Sequence, residues 1–211
     1  MFDEVISLHP NSALIDSVYY FAGRCRFRLQ SYQAAVGDFE ASVLADPEGT
    51  YADNATYYLG RSYYELGDEQ SAILVLETVE SHYPDSSYVD NATYYLGRSH
   101  LTIKEYPQAI AAFSRVLDFA DSIYLDNATY YLGRSYYGSG DLASALTWFE
   151  AVVGDFAGSV YVDNAMFYEV RVYVDQAACA DAATVLAELQ SGYPGGTYTV
   201  QAQDYYTAGG C

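Results

Sequence analysis

Asp53-Asn54-Ala55-Thr56-Tyr57-Tyr58-Leu59-Gly60-Arg61-Ser62 recurs at 90–99 and again at 126–135, at offsets of 37 and 36 residues. Weaker copies start at Asp16 and Asp163, and a degraded one near Val200. Self-similarity at this period marks a repeat protein, in which each unit is one supersecondary element stacked on its neighbours. Within the second copy, Asp53 suits a helix N-cap, because a carboxylate accepts orphan backbone N–H groups and favours the positive helix end. A first helix, A, is expected to Leu66 and is broken at Gly67-Asp68. A second, B, is expected from Gln70 to His82, with Ala72, Leu76 and Val79 on one stripe. Pro84 prevents its continuation. So short a connection makes the two helices antiparallel neighbours.

Counted from the leading Asp, other rows repeat. Leu-Gly falls at 59–60, 96–97 and 132–133, and an aromatic at Tyr63, Tyr136 and Tyr173. A small residue falls at Ala35, Ala72, Ala109, Ala145 and Ala182, and a large one at Phe39, Leu76, Phe113, Phe149 and Leu186. Proline falls at Pro10, Pro47, Pro84 and Pro194. On these rows the chain resembles the tetratricopeptide repeat (TPR) family along its whole length. The resemblance implies an all-α fold, a right-handed TPR superhelical solenoid of antiparallel helix pairs, with repeats starting at 16, 53, 90, 126 and 163. The Asp-Asn-Ala-x-Tyr-Tyr-Leu-Gly flavour is similar to the bacterial cell-envelope branch, that of periplasmic coordinators and outer-membrane assembly lipoproteins. One departure is Thr56, Thr93 and Thr129 at position 4, where the family often has Trp.

The resemblance further implies that helix A lines a concave face, with positions 2, 5, 9 and 12 pointing into it. Position 2 is Asn54, Asn91, Asn127 and Asn164; position 5 includes Tyr57, Tyr94 and Tyr130; position 9 is Arg24, Arg61, Arg98, Arg134 and Arg171. That arginine row holds five of the nine basic residues in a chain of net charge −19. Asp at position 1 and Arg at position 9 are about 12 Å apart along one helix. The arginines must therefore use tyrosine faces, acids of a neighbouring repeat or a ligand; holding repeats together and binding a partner are both open. The asparagine row has three readings: N-x-Thr glycosylation at Asn54, Asn91 and Asn127, a ladder for the backbone of an extended peptide, or capping of helix A. Asn164 precedes Ala165-Met166 and is no sequon.

A surface this acidic repels phosphate backbones, which argues against nucleic-acid partners. No apolar run approaches the roughly 20 residues of a membrane span. No leader is legible in Met1-Phe2-Asp3-Glu4. His9, His82 and His100 fall at different repeat positions, and no nucleophile motif, phosphate loop or metal cluster appears, so neither an enzyme nor a cofactor is expected. Tyrosine, 25 of 211 residues, suits packing and interfaces alike.

The ends read as half repeats, a helix B over 1–15 and a helix A over about 198–211. Either the sequence is a piece of a longer chain, or copies join head to tail, with Phe2, Val5 and Ile6 packing on Val200, Ala202 or Tyr205 of the next copy and propagating a filament. Two functions follow: an extracytoplasmic, self-assembling fibre subunit bearing glycans, or an envelope adaptor that binds an extended peptide in its groove. Cys179 at the start of one helix B and Cys211 near the end of the next helix A fall at one level of the stack, within disulfide reach. The alternative is three reduced thiols with Gly209-Gly210 fraying the end. With the disulfide, Cys25 is expected as a buried free thiol.

Overall fold

A computed structural model describes residues 2–211; Met1, which the repeat numbering puts inside a helix B, lies outside them. The chain divides into two compact units, Met1–Glu105 and Tyr106–Cys211. The first comprises α1 (Phe2–Leu8), α2 (Ile15–Arg28), α3 (Tyr32–Ala45), α4 (Ala52–Leu66), α5 (Glu69–His82) and α6 (Val89–Thr102). The second comprises α7 (Tyr106–Val116), α8 (Leu125–Ser139), α9 (Leu142–Asp155), α10 (Val162–Asp175), α11 (Cys179–Gly192) and α12 (Thr197–Ala208). The described residues contain no strand. Even-numbered helices are the A helices of the repeats and odd-numbered ones the B helices. Each packs on its sequence neighbour within its unit, and A helices also touch the next A helix, as α4 does α6 and α10 does α12.

The A–B turn demands a left-handed residue at one fixed repeat position. Gly67 and Gly140 supply it at φ 75° and 88°, where glycine carries no Cβ penalty. Gln30, Lys104 and Ala177 adopt the same conformation at φ 59°, 63° and 57° in the other repeats. After each glycine, Asp68 and Asp141 cap the B helix by accepting from the backbone N–H of Ser71 and Ser144 at 3.2 and 3.1 Å.

The small and large residues of each B helix face the core between the helices, as expected. Ala35, Ala72, Ala109, Ala145 and Ala182 are fully buried, beside buried Phe39, Leu76, Phe113, Phe149 and Leu186. The glycine of the Leu-Gly pair is what allows it. A Cβ on Gly60 would lie 2.7 Å from Leu76, and one on Gly133 2.6 Å from Phe149. In the fifth repeat the pair becomes Glu169-Val170, both buried.

Asp53 does not cap its helix. Tyr51 is the N-cap of α4 and makes no side-chain capping bond; Asp53 lies in the first turn. Its carboxylate instead accepts from Ser86 Oγ of the following B–A loop at 2.6 Å, as Asp126 accepts from Ser159. The acid thus ties a helix to the loop one repeat on. The same serines accept from the backbone N–H of Tyr88 and Tyr161 at 3.1 Å, which fixes the loop that delivers those tyrosines.

Cys25 is also placed otherwise than expected: it is exposed. At the same position Ser62, Ser99, Ser135 and Val172 are fully buried. In those repeats a full helix pair precedes the position, whereas α2 is preceded by the seven-residue α1. Cys179 and Cys211 are bonded, with Cα atoms 5.2 Å apart. The Gly209-Gly210 pair makes this possible rather than fraying. A Cβ on Gly209 would lie 2.2 Å from Val174 Cγ1, and Gly210 turns the chain at φ 80°.

The last helix presents a polar outer face. Gln203 and Thr207 are exposed and joined to each other at 3.2 Å, and Gln190 donates to Gln203 at 2.8 Å. Of the residues expected to meet another copy, Ala202 is fully buried within its own chain. Tyr205 spends its hydroxyl on Asp175 at 2.6 Å. Only Val200 of the three stands exposed, while Phe2, Val5 and Ile6 of α1 are half-buried.

Candidate interaction face

The A helices carry the repeated polar and aromatic rows, and the structure divides them into mortar and surface. The position-5 tyrosines are mortar. Tyr20, Tyr57, Tyr94 and Tyr130 are at most 3% exposed, so Tyr57, Tyr94 and Tyr130 are not groove contacts. In three of these repeats the buried ring lies beneath a tyrosine delivered by the next B–A loop. In the first unit Tyr20 stacks on Tyr51 with centroids 4.6 Å apart, and Tyr57 on Tyr88 at 4.7 Å. In the second, Tyr130 stacks on Tyr161 at 4.7 Å. Sequence reasoning passes over this tyrosine row, Tyr51, Tyr88, Tyr124 and Tyr161 in the loops and Tyr198 at the start of α12, although it keeps the same 36–37 residue spacing.

The arginines link repeats through rings. Arg24 donates to Tyr20 Oη at 2.6 Å and lies over Tyr58 of the next repeat at 4.2 Å. Arg61 sits between Phe27 of the repeat before and Tyr95 of the repeat after, at 5.0 and 4.9 Å. It reaches Tyr57 Oη at 3.5 Å, and its Nε lies 3.7 Å from Glu65. Arg98 donates to Tyr94 Oη at 2.9 Å. Arg134 donates to Tyr130 Oη at 3.2 Å and lies over Tyr168 at 4.7 Å. Each such cation–π contact contributes roughly 0.5–2 kcal/mol, more as the site loses water. Burial pushes the Tyr20 and Tyr130 hydroxyls above their ordinary range, with the arginines pulling the other way.

What remains at the surface of this face is half-buried: the asparagine row, the arginine row, the loop tyrosines, and Tyr64 and Tyr137 at position 12. The asparagines differ in use. Asn127 Nδ2 donates to Tyr161 Oη at 2.8 Å, and Asn91 Nδ2 to its neighbour Asp90 at 2.8 Å. Asn164 touches the Tyr130 hydroxyl. Asn54 is half-buried at the corresponding place.

Position 4 has a packing explanation. Thr56, Thr93 and Thr129 are at most 5% exposed. Each donates its hydroxyl to the carbonyl four residues back, those of Ala52, Val89 and Leu125, at 2.7–2.8 Å. Met166, also buried, takes the same place in the fifth repeat.

Beyond this face, His100 is buried and pairs with Glu105 at 2.7 Å. Among the described residues no three His, Cys, Asp or Glu side chains converge as a metal site, and no helix is long and apolar enough to cross a membrane.

Residues 54–86 match the family model for the tetratricopeptide repeat. No curated protein sequence matches significantly. Solved structures are similar over most of the chain. MamA, residues 41 to the end, from Desulfovibrio magneticus RS-1 is 20% identical, with 83% of this chain and 93% of that one covered and a TM-score of 0.72. YrrB, a TPR protein with an unusual peptide-binding site, is 17% identical, with 96% and 97% covered and a TM-score of 0.74. PilF of Pseudomonas aeruginosa is 14% identical, with 96% and 86% covered and a TM-score of 0.68. One repeat thus matches the tetratricopeptide repeat in sequence, and most of the chain shares the fold of solved TPR structures.

Proposed function

We propose that this protein is a non-enzymatic interaction scaffold that holds extended polypeptide along the A-helix face of each of its units in an extracytoplasmic compartment. The observation that carries the reading is the row of half-buried asparagine amides at one helix position, above a floor of stacked tyrosines. An amide side chain offers both a donor and an acceptor, which is what a peptide backbone presents in return. The rings below are locked by stacking and by arginine, so the face is pre-organised and little ordering cost falls on binding. YrrB, a neighbour in fold, has a peptide-binding site. The Cys179–Cys211 disulfide supports an oxidising location.

The test is a library of extended, end-blocked peptides presented to the wild type and to a variant with Asn54, Asn91, Asn127 and Asn164 all changed to alanine. Binders to the wild type should weaken at least about tenfold in the variant, since several hydrogen bonds are lost together. Circular dichroism should not change. Binding that survives the four substitutions, or a wild type that binds no peptide, overturns the reading.

A head-to-tail fibre is the second reading. Exposed Leu8, Leu14, Phe21 and Leu29 beside α1 and α2 favour it; the polar outer face of α12 and the internal use of Ala202 and Tyr205 weigh against it. Size-exclusion and negative-stain imaging separate the two, a discrete small species fitting the scaffold and filaments the fibre. N-glycosylation of Asn54, Asn91 and Asn127 would occupy the same amides as a peptide. An intact mass equal to the bare polypeptide rules it out and leaves the threonines to their packing role.

A further inference from the structure

One arginine of the row lacks the partner that the other four have. Arg24, Arg61, Arg98 and Arg134 each reach the hydroxyl of the position-5 tyrosine one turn back on the same helix. In the fifth repeat that position is Phe167, which has a ring but no hydroxyl. Arg171 therefore keeps the aromatic setting and loses the acceptor. Its guanidinium lies 4.8 Å from the Tyr137 and Tyr205 rings, 5.1 Å from Tyr168 and 5.5 Å from Phe167. Its Nε is buried and has no hydrogen-bond partner. The hydroxyls of the two nearest tyrosines are engaged elsewhere, since Tyr137 and Tyr205 both donate to Asp175, at 2.6 Å each. All of these groups belong to α8, α10 and α12 of one unit.

A guanidinium has five N–H donors and no acceptor, and a buried donor left without one costs free energy. The rings satisfy its charge in part and its hydrogen bonds not at all. An incoming acceptor of opposite charge would do both, and a planar carboxylate matches the guanidinium fork. Asp175 binds the same two tyrosines, and their hydroxyls take up part of its acceptor capacity.

We propose that Arg171 is a carboxylate-binding point on the interaction face, created by the Tyr-to-Phe departure at position 167 and filled by a carboxylate of the bound polypeptide. The proposal rests on the scaffold reading for the rest of the contact, and it adds a preference for an acidic group at one place.

The experiment observes arginine Nε–Hε resonances by NMR in the full chain. Three short peptides are titrated: one end-blocked with a central glutamate, its glutamine counterpart, and one whose sole carboxylate is its free C-terminus. The Arg171 resonance should move with the glutamate peptide or the C-terminal carboxylate, which tells the two sources apart, and not with glutamine. Arg134 should stay still. Phe167→Tyr is the decisive variant, because it restores the internal acceptor in a setting that four repeats already accommodate. It should weaken binding of the carboxylate peptide by about tenfold, the loss of one charged hydrogen bond. An equal response to glutamine, or undiminished binding by Phe167→Tyr, overturns the proposal. The four-alanine variant keeps Phe167 and Arg171 intact. If it loses peptide binding while Phe167→Tyr changes nothing, the scaffold stands and the carboxylate point falls. If it retains binding while Phe167→Tyr weakens it, the reverse holds.

Discussion

Replacing Glu169 by leucine should stabilise the second unit, and by an amount that grows with pH. Glu169 occupies the place of Leu59, Leu96 and Leu132 in the repeats before it. It is 6% exposed, and its Oε1 is buried with no hydrogen-bond partner. Burial first, then Glu150 on α9 and Glu188 on α11, push its carboxyl up to about 8 from an ordinary 4.5. The native state thus holds a proton that the unfolded chain releases. This group's contribution to stability is complete below the unfolded value and is lost as pH rises from about 4.5 to about 8. The loss runs at up to about 1.4 kcal/mol per pH unit, or on the order of 3 kcal/mol by pH 7. Leucine removes that penalty and the unpartnered oxygen together. Urea unfolding followed by the fluorescence of Trp148, the single tryptophan, in α9 of the same unit, should give Glu169→Leu an advantage of about 2–3 kcal/mol at pH 7 and less than about 1.5 at pH 5. Glu169→Gln should remove the pH slope with a smaller gain, since it still buries a polar group. The chain's net charge of −19 contributes a slope of its own, so the difference between variant and wild type is the quantity to read. A difference that stays constant from pH 5 to 8.5, or a variant less stable than the wild type at pH 7, refutes the reasoning.

Gly133→Ala should destabilise by about 1–3 kcal/mol, because its Cβ would collide with Phe149, whereas Gly37→Ala, with nothing within 4 Å, should stabilise by about 0.5–1 kcal/mol; thermal melts of the pair check both. Ala177→Gly should gain about 1 kcal/mol by relieving a left-handed non-glycine residue, with chemical denaturation as the measure. Cys211→Ser should cost about 3–4 kcal/mol in the chain-entropy model for a closure spanning 32 residues, read by unfolding under non-reducing conditions. Thiol counting on the denatured wild type should find one free thiol per chain, from Cys25.

The helix pairs are legible in the sequence because each repeat restates the same small and large residues on its B helix, and the spacing of Ala72 and Leu76 reads the same way at every offset. The expected start of helix A at Asp53 lies one residue from its actual start at Ala52. Local chemistry alone makes Asp53 a plausible cap, but its actual partner, Ser86, is 33 residues away. Cys25 misleads for a similar reason. Burial at its position depends on what precedes the repeat, not on the residue. The loop tyrosines escape notice because they sit at the boundary between repeats, most of them near a proline or glycine, where a side chain reads as punctuation rather than as packing.

The same distinction separates structure from function on the interaction face. A feature repeated in every unit has the same neighbours in every unit, and stacking supplies those neighbours from within the chain. Tyr20, Tyr57 and Tyr130 are covered by loop tyrosines, Arg24, Arg61 and Arg134 lie on the next repeat's rings, and the position-4 threonines bond their own helix. Repetition therefore tends to consume a group internally. Chemistry becomes available where one member departs and its invariant partner stays behind. Phe167 leaves Arg171 without its hydroxyl, and Glu169 leaves a carboxyl where the fold expects a methyl-bearing side chain. Both departures fall in the fifth repeat, two residues apart on α10, and they turn to opposite sides: one toward α8 and α12 among the rings, the other toward α9 and α11 among the acids. Each leaves a buried polar atom without a partner, Nε of Arg171 and Oε1 of Glu169, which is why the fifth repeat is the place to look for what this scaffold holds.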